Sequence, residues 1–412
     1  MKQGRILLIG LLPLLAAELL LSVPDGHSAH ISPTVVATVS VGEGPVGVAV
    51  NPLTNRIYVA NVVDASISVI DGTTDAVVAT VPVGAEPVDV AVNPATNRVY
   101  VANLFSEDVS VIDGTTNAVV ATVPVEREPG DVAVSHETNL VYVANSIFSV
   151  SVIDGATNTV VATIPTESWL GGLAVNPETN RVYVSNVTDN TVSVIDGATD
   201  AVVATVPVGE GPTGVAVNPL TNRIYVANRG SGSVSVMDGA VNTVMATVPV
   251  AVGGSGAGSP LAVDSQTNRV YVSNTDDNTV SVIDGATNAV VATVPVGEGP
   301  RGVGVNPITG RVYVANMDDN TVSVIANQPP PPPTPAPAEE TPTAEASPRP
   351  RPSPTPAPTP RPTSTPTPTP AAAEGGGGAS IGIIVGGIVG GMLFLAGGGG
   401  IGYWYFRIRP RP

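Results

Sequence analysis

From residue 33 to residue 327 the chain alternates short apolar runs with short polar turns, and no window carries a helical period long enough to bury one face. The runs are four to five residues long and consist of β-branched or small residues. In the first unit they are Gly47 to Val50 (GVAV), Arg56 to Ala60 (RIYVA), Ser66 to Ile70 (SISVI) and Val77 to Val81 (VVATV). Asn-Pro, Asp-Gly-Thr-Thr and Pro-Val-Gly segments separate them, which are turn signals. This pattern predicts four antiparallel strands per unit. It then recurs: tyrosines 58, 100, 142, 183, 225, 271 and 313 mark seven units spaced by 42, 42, 41, 42, 46 and 42 residues. A period of this size belongs to solenoids, propellers and arrays.

The ends of the repeat choose among these. Val35 to Val39 (VVATV) reads as a fourth-type strand with no first three before it, while the last unit runs GVGV, RVYVA, TVSVI and stops at Ala326 without a fourth. Each end supplies what the other lacks. The expectation is an all-β fold, a seven-bladed β-propeller closed by an N-terminal strand that completes the last blade and removes an exposed sheet edge. The innermost GVAV strand has small residues because blades converge there, and each repeat tyrosine is expected to pack between neighbouring blades.

The recurring block PxGVAVNPxTNRxYVAN followed by SVIDGATN resembles the YVTN β-propeller repeat family, whose members include extracellular and surface-layer proteins. The third motif position here is Ala or Ser in place of Thr. The resemblance covers residues 33–327 and implies the propeller fold; the family has no established set of catalytic residues to carry over.

Outside the repeat the pattern changes three times. Residues 1–29 begin with Lys2 and Arg5, continue through the apolar run Ile6 to Val23 and end on small residues near Ala29, as a secretory signal peptide does; an uncleaved N-terminal anchor is the other reading. Residues 328–378 form a disordered stalk and Gly linker; the stretch 328–370 is almost entirely Pro, Thr, Ser and Ala and reaches up to roughly 130 Å at about 3.1 Å per residue when fully extended. Residues 379–406 are apolar and long enough for one C-terminal transmembrane helix, ending in Tyr403, Trp404, Tyr405 and Phe406; the basic tail 407–412 places the C-terminus in the cytoplasm. Gly382, Gly386 and Gly390 share one face of that helix and suit weak self-association. The expected location is therefore the cell membrane, single-pass, with the repeat region outside.

Composition then narrows function. Cysteine is absent, so no disulfide or thiolate metal site can form. The formal net charge of -17 repels phosphate backbones and argues against nucleic acid as a partner. Antiparallel order puts the NPxTNR and DGATN turns on one face, nearly uniform among units, and the other two loops on a variable face. Phe105, Phe148 and Trp169, with Leu170 beside them, fall on that variable face and are candidates for a partner-binding patch; the alternative is that they tuck inward and fill loop gaps. Glu43, Glu86, Asp89, Glu128, Asp131, Glu210 and Glu298 are placed at the channel mouth on the same face, as a solvated rim or a place to gather calcium or a basic partner; no EF-hand-like spacing is present. No Ser-His-Asp arrangement, phosphate loop or His metal cluster can be assembled, and no cofactor is implied. The expected function is a membrane-anchored binding, adhesion or scaffold module that meets a cell-surface protein or glycan. The alternative is an anchored propeller hydrolase or lyase, lactonase-like, that uses paired carboxylates at the channel mouth.

Overall fold

The computed structural model describes residues 32–253 and 258–328. The leader, most of the stalk, the apolar span 379–406 and the basic tail lie outside the described residues. Among the described residues there are twenty-seven strands and no helix, hence no helix long and apolar enough to cross a membrane.

Each repeat unit forms a four-stranded antiparallel sheet in chain order. In the first, Pro45–Asn51, Arg56–Asn61, Ser66–Asp71 and Ala76–Pro82 pair in sequence, with Asn51 opposite Arg56, Asn61 opposite Ser66 and Asp71 opposite Ala76. Two side chains set these registers. Asn51 Oδ1 accepts the amides of Leu53 and Thr54 at 3.1 and 3.4 Å, and Asp71 Oδ1 accepts those of Thr73 and Thr74 at 2.8 and 3.2 Å. Both turns close on a left-handed residue, Asn55 and Asp75, at φ 51° and 54°. Asn and Asp tolerate that conformation better than other side chains, so the polar words between the apolar runs are turn instructions. Units three and four depart from the pattern, since strand Thr159–Asn176 serves as the outer strand of one and the inner strand of the next and joins them into a seven-stranded sheet.

Burial follows strand position. The second and third strands are almost wholly buried, whereas the outer strands are mostly exposed, as in Ala76–Pro82, where only Val81 is buried. The seven repeat tyrosines are the largest fully buried side chains. Their hydroxyls reach the next unit's Asp-Gly turn: a Cβ at Gly155 would stand 2.7 Å from the Tyr100 hydroxyl oxygen, and one at Gly285 would stand 2.7 Å from that of Tyr225. Only glycine leaves room for the neighbour's ring, so tyrosine and glycine recur together.

A second belt links the units through the opening NPxTNR motif. Asn51 Nδ2 donates to Asn97 Oδ1 of the next unit at 2.8 Å, and the same bond joins Asn93 to Asn139, Asn176 to Asn222, Asn218 to Asn268 and Asn306 to Asn55, at 2.7 to 2.8 Å. The belt is broken twice, where Ser135 replaces the donor and where Asp264 precedes Gly310. These asparagines explain why a phrase without catalytic chemistry is repeated.

The two ends of the repeat region meet as expected. Strand Ser32–Ser40 pairs antiparallel with Thr321–Gln328, with Val35 opposite Ile325 and Ser40 opposite Thr321, and so takes the fourth place in the last unit's sheet. The inner strand Pro45–Asn51 lies against both Pro87–Asn93 and Pro300–Asn306. Val39, Ile57, Val59, Tyr313 and Val324 share one apolar cluster, and Arg311 Nη1 donates to both carboxylate oxygens of Asp75, at 2.7 and 2.9 Å. The architecture is a propeller-like β fold whose first and last units are in contact.

Two substitutions test this account. Ser135→Asn should restore the missing belt bond to Asn180, whose Oδ1 is buried without a partner, and raise stability by about 0.5–1.5 kcal/mol in denaturant melts. Val39→Asp, which puts a carboxylate into the joint cluster, should lower stability by about 3 kcal/mol or more.

Candidate functional site

The loops after the second strand and the loops before the first share one face, and almost every departure from the repeat lies there. Phe148 and Trp169 form an edge-to-face pair with centroids 6.5 Å apart and an interplanar angle of 89°. Backbone pairing of Ile147 with Trp169 brings them together. Both are exposed, at 42% and 40%, and Phe148 holds φ at 64°, a conformation costly for a bulky side chain. Phe105 is 68% exposed and, among the described residues, makes no ring contact. Leu170 does not belong to the patch. It is 5% exposed and packs with Tyr142, Ile164 and Leu173, because successive strand residues point to opposite sides and Trp169 already faces out.

The acidic set divides in three. Glu43, Glu210 and Glu298 are exposed. Glu86 and Glu128 are half-buried at φ 52° and 54°, the place held by Gly44, Gly211 and Gly299 in other units; burial pushes the Glu86 carboxyl up. Asp89 and Asp131 correct the rim expectation, being only 4% and 6% exposed on the inner strands. They stand where units one, five and seven carry Gly47, Gly214 and Gly302, and the two carboxyls hydrogen-bond to each other. Val132 N–H donates to Asp89 Oδ2 at 3.1 Å, with Val90 and Ser259 amides as further donors; Asp131 accepts from Leu173 and Val132. Burial is the main cause that pushes Asp89 up to about 7, and burial together with the Asp89 charge holds Asp131 well above the carboxylate range. Two carboxyls that share a proton resemble an aspartic dyad, but amides from several units occupy their outer oxygens. The pair works as a clasp between inner strands.

The clasp explains the long spacing of 46 residues before Tyr271. The segment Gly258 to Pro260 runs across to the inner strands of distant units: Ser259 bonds Asp89 through its N–H, Val303 N–H donates to Ser259 oxygen at 3.1 Å, and a Cβ at Gly258 would lie 2.7 Å from Val46 oxygen.

Beyond it lies a cavity of about 490 Å³ lined by Arg229, Thr275, Asp276, Asn278, Glu298, Gly299, Arg301 and Asp318. Its wall is rigid. Thr275 Oγ1 donates to Pro300 oxygen at 2.7 Å and Gly299 N–H donates to Asn278 Oδ1 at 2.9 Å. Burial lowers the Arg301 guanidinium, Asp318 opposes this, Arg229 adds to it and Asp276 opposes it. Sequence reading missed the two arginines. The signal was internal: Arg301 holds the seat of Val46 and Val88, and Arg229 that of Val62 and Leu104. Among the described residues no group of three or more His, Cys, Asp or Glu is placed to hold a metal ion.

No protein-family model matches the chain, and no curated protein sequence does. Among solved structures, a chain of Kuenenia stuttgartiensis hydrazine synthase is similar with a TM-score of 0.62 and 22% identity, over 69% of this chain and 96% of that one. At that identity the likeness shows a shared fold.

The clasp makes stability pH-dependent. Its folded-state pKa values lie above the unfolded value of 3.8, so the folded chain keeps a proton that the unfolded chain releases, and stability is lost as pH rises through about 7. The turn aspartates Asp71, Asp113, Asp196 and Asp284 act oppositely: backbone amides lower their pKa, and their contribution is lost as pH falls below the unfolded value. Calorimetry across pH should show a melting temperature that declines from pH ~5 to pH ~8, with a flatter decline in Asp131→Asn, where the amide donates to the Asp89 carboxylate at any pH.

Proposed function

We propose that the chain is a seven-bladed propeller of the YVTN type, completed by the strand Ser32–Ser40, and that its variable face binds a protein or glycan at the cell surface. The exposed Phe148–Trp169 pair carries this reading. A fold that buries every repeat tyrosine leaves Phe148 and Trp169 exposed against each other, as it leaves Phe105, and Phe148 sits on a strained backbone. Rigid aromatics of this kind supply contact area at low entropic cost and dominate interface energies. The apolar span 379–406 and the proline-rich stalk support an anchored, outward-held arrangement with the glycine face at 382, 386 and 390 available for pairing; the leader supports export. A hydrolase or lyase at the channel mouth would draw on Asp89 and Asp131, and the amides that engage their oxygens favour the binding reading.

The test compares the full-length chain with its Phe148→Ala/Trp169→Ala variant in capture from cell-envelope extracts, followed by titration of the captured species. Each truncation should weaken binding by about 2 kcal/mol with the melting temperature retained. Equal affinity of the double variant would refute the patch.

A further inference from the structure

The repeat acts as its own control, and the cavity at units five to seven is one of the places where it departs from itself. In units one and two the equivalent seats are apolar and close-packed: Val46, Val62 and Val88 are at most 5% exposed and belong to one cluster. In units five and seven those seats carry Arg229 and Arg301, and the outward seats of Val63 and Phe105 become Asp276 and Asp318 in units six and seven. The seats that Val46, Val62 and Val88 fill as packed core thus border, in the other units, a space of about 490 Å³. That size falls within the range of small-molecule sites.

The lining specifies the ligand by charge. Two guanidiniums and three carboxylates face one space, and no apolar side chain lines it. Asp318 and Asp276 already act on Arg301, so the set is mixed in sign, and a ligand of a single sign would meet its like-charged half. A phosphate dianion would in addition meet Asp276, Glu298 and Asp318. A large apolar group would find nothing to contact. A small molecule that carries both signs a few bonds apart satisfies both halves, and the hydrogen bonds already made within the wall lower the ordering cost. We propose that this cavity binds a compact zwitterion of the amino-acid class, with its carboxylate on Arg301 and Arg229 and its ammonium group between Asp276 and Asp318. The inference goes beyond the aromatic patch, since the cavity shares none of its residues.

Isothermal titration calorimetry of the full-length chain with L-lysine, L-alanine, acetate, ethylamine and glucuronate tests it. At least one amino acid should bind saturably with a Kd of about 1 mM or tighter. Acetate and ethylamine, each with half of the charge pattern, should bind about tenfold more weakly or worse. Arg301→Gln and Asp318→Asn should each weaken the amino acid about tenfold, and Arg229→Gln, altered at an exposed position, supplies the same test should the half-buried Arg301 variant fail to fold. The proposal is overturned by the absence of saturable amino-acid binding, by acetate or glucuronate binding as well as the amino acids, or by unchanged affinity in the folded arginine variants. Loss of capture in the Phe148/Trp169 variant alongside blank titrations would leave the binding face standing and remove the pocket alone.

Discussion

Everything in this molecule depends on the meeting of the first and last units. Each sheet buries both of its faces against neighbours, so a row of such sheets would end in two apolar faces exposed to water. Here strand Ser32–Ser40 completes the last sheet, Tyr313 reaches Gly72, Arg311 grips Asp75 and Asn306 bonds Asn55. The tyrosine and asparagine contacts at this seam are those made between adjoining units elsewhere, whereas the Arg311–Asp75 pair joins two units where Arg56, Arg98 and Arg181 each pair within their own; the hydrogen bonds of Ser32–Ser40 to Thr321–Gln328 replace a covalent link.

The division of labour between the two faces follows from the same contacts. On one face the turns are used up: their asparagines bond across units, their aspartates hold their own turns, and their glycines admit the neighbour's tyrosine. A change there disturbs two units at once. Loops of the opposite face carry fewer such duties, and it is there that the aromatic pair, the clasp-bound segment at Gly258 to Pro260 and the charged cavity have arisen. Specialisation is found where the repeat chemistry leaves residues free.

Much of this was legible beforehand because the chain states it seven times. Strand order, inward tyrosines, turn-forming Asn and Asp, and the orphan strand at Val35 to Val39 all follow from periodicity and local conformational preference. The exposed aromatics were also legible, since they interrupt the repeat. Leu170 was misplaced by counting it with its neighbour Trp169, although strand alternation sends the two to opposite sides. Asp89 and Asp131 were assigned to a solvated rim because no compact ligand spacing appears around them; their seats, equivalent to those of Gly47 and Gly214, lie on inner strands that the convergence of units shields from water.

What the sequence by itself determined is the unit: four strands, their turns, the side each residue faces, and the complementary defects at the two ends. These are local matters, decided by alternation, turn chemistry and side-chain size within about forty residues. Only the tertiary structure decided which residues of different units share a space. Asp89 meets Asp131 and the amide of Ser259, and Arg229, Asp276, Arg301 and Asp318 surround one cavity, because curvature brings separate loops to a common centre. A one-dimensional pattern records each of these side chains as an isolated exception, and desolvation and charge become chemistry only when the exceptions are neighbours.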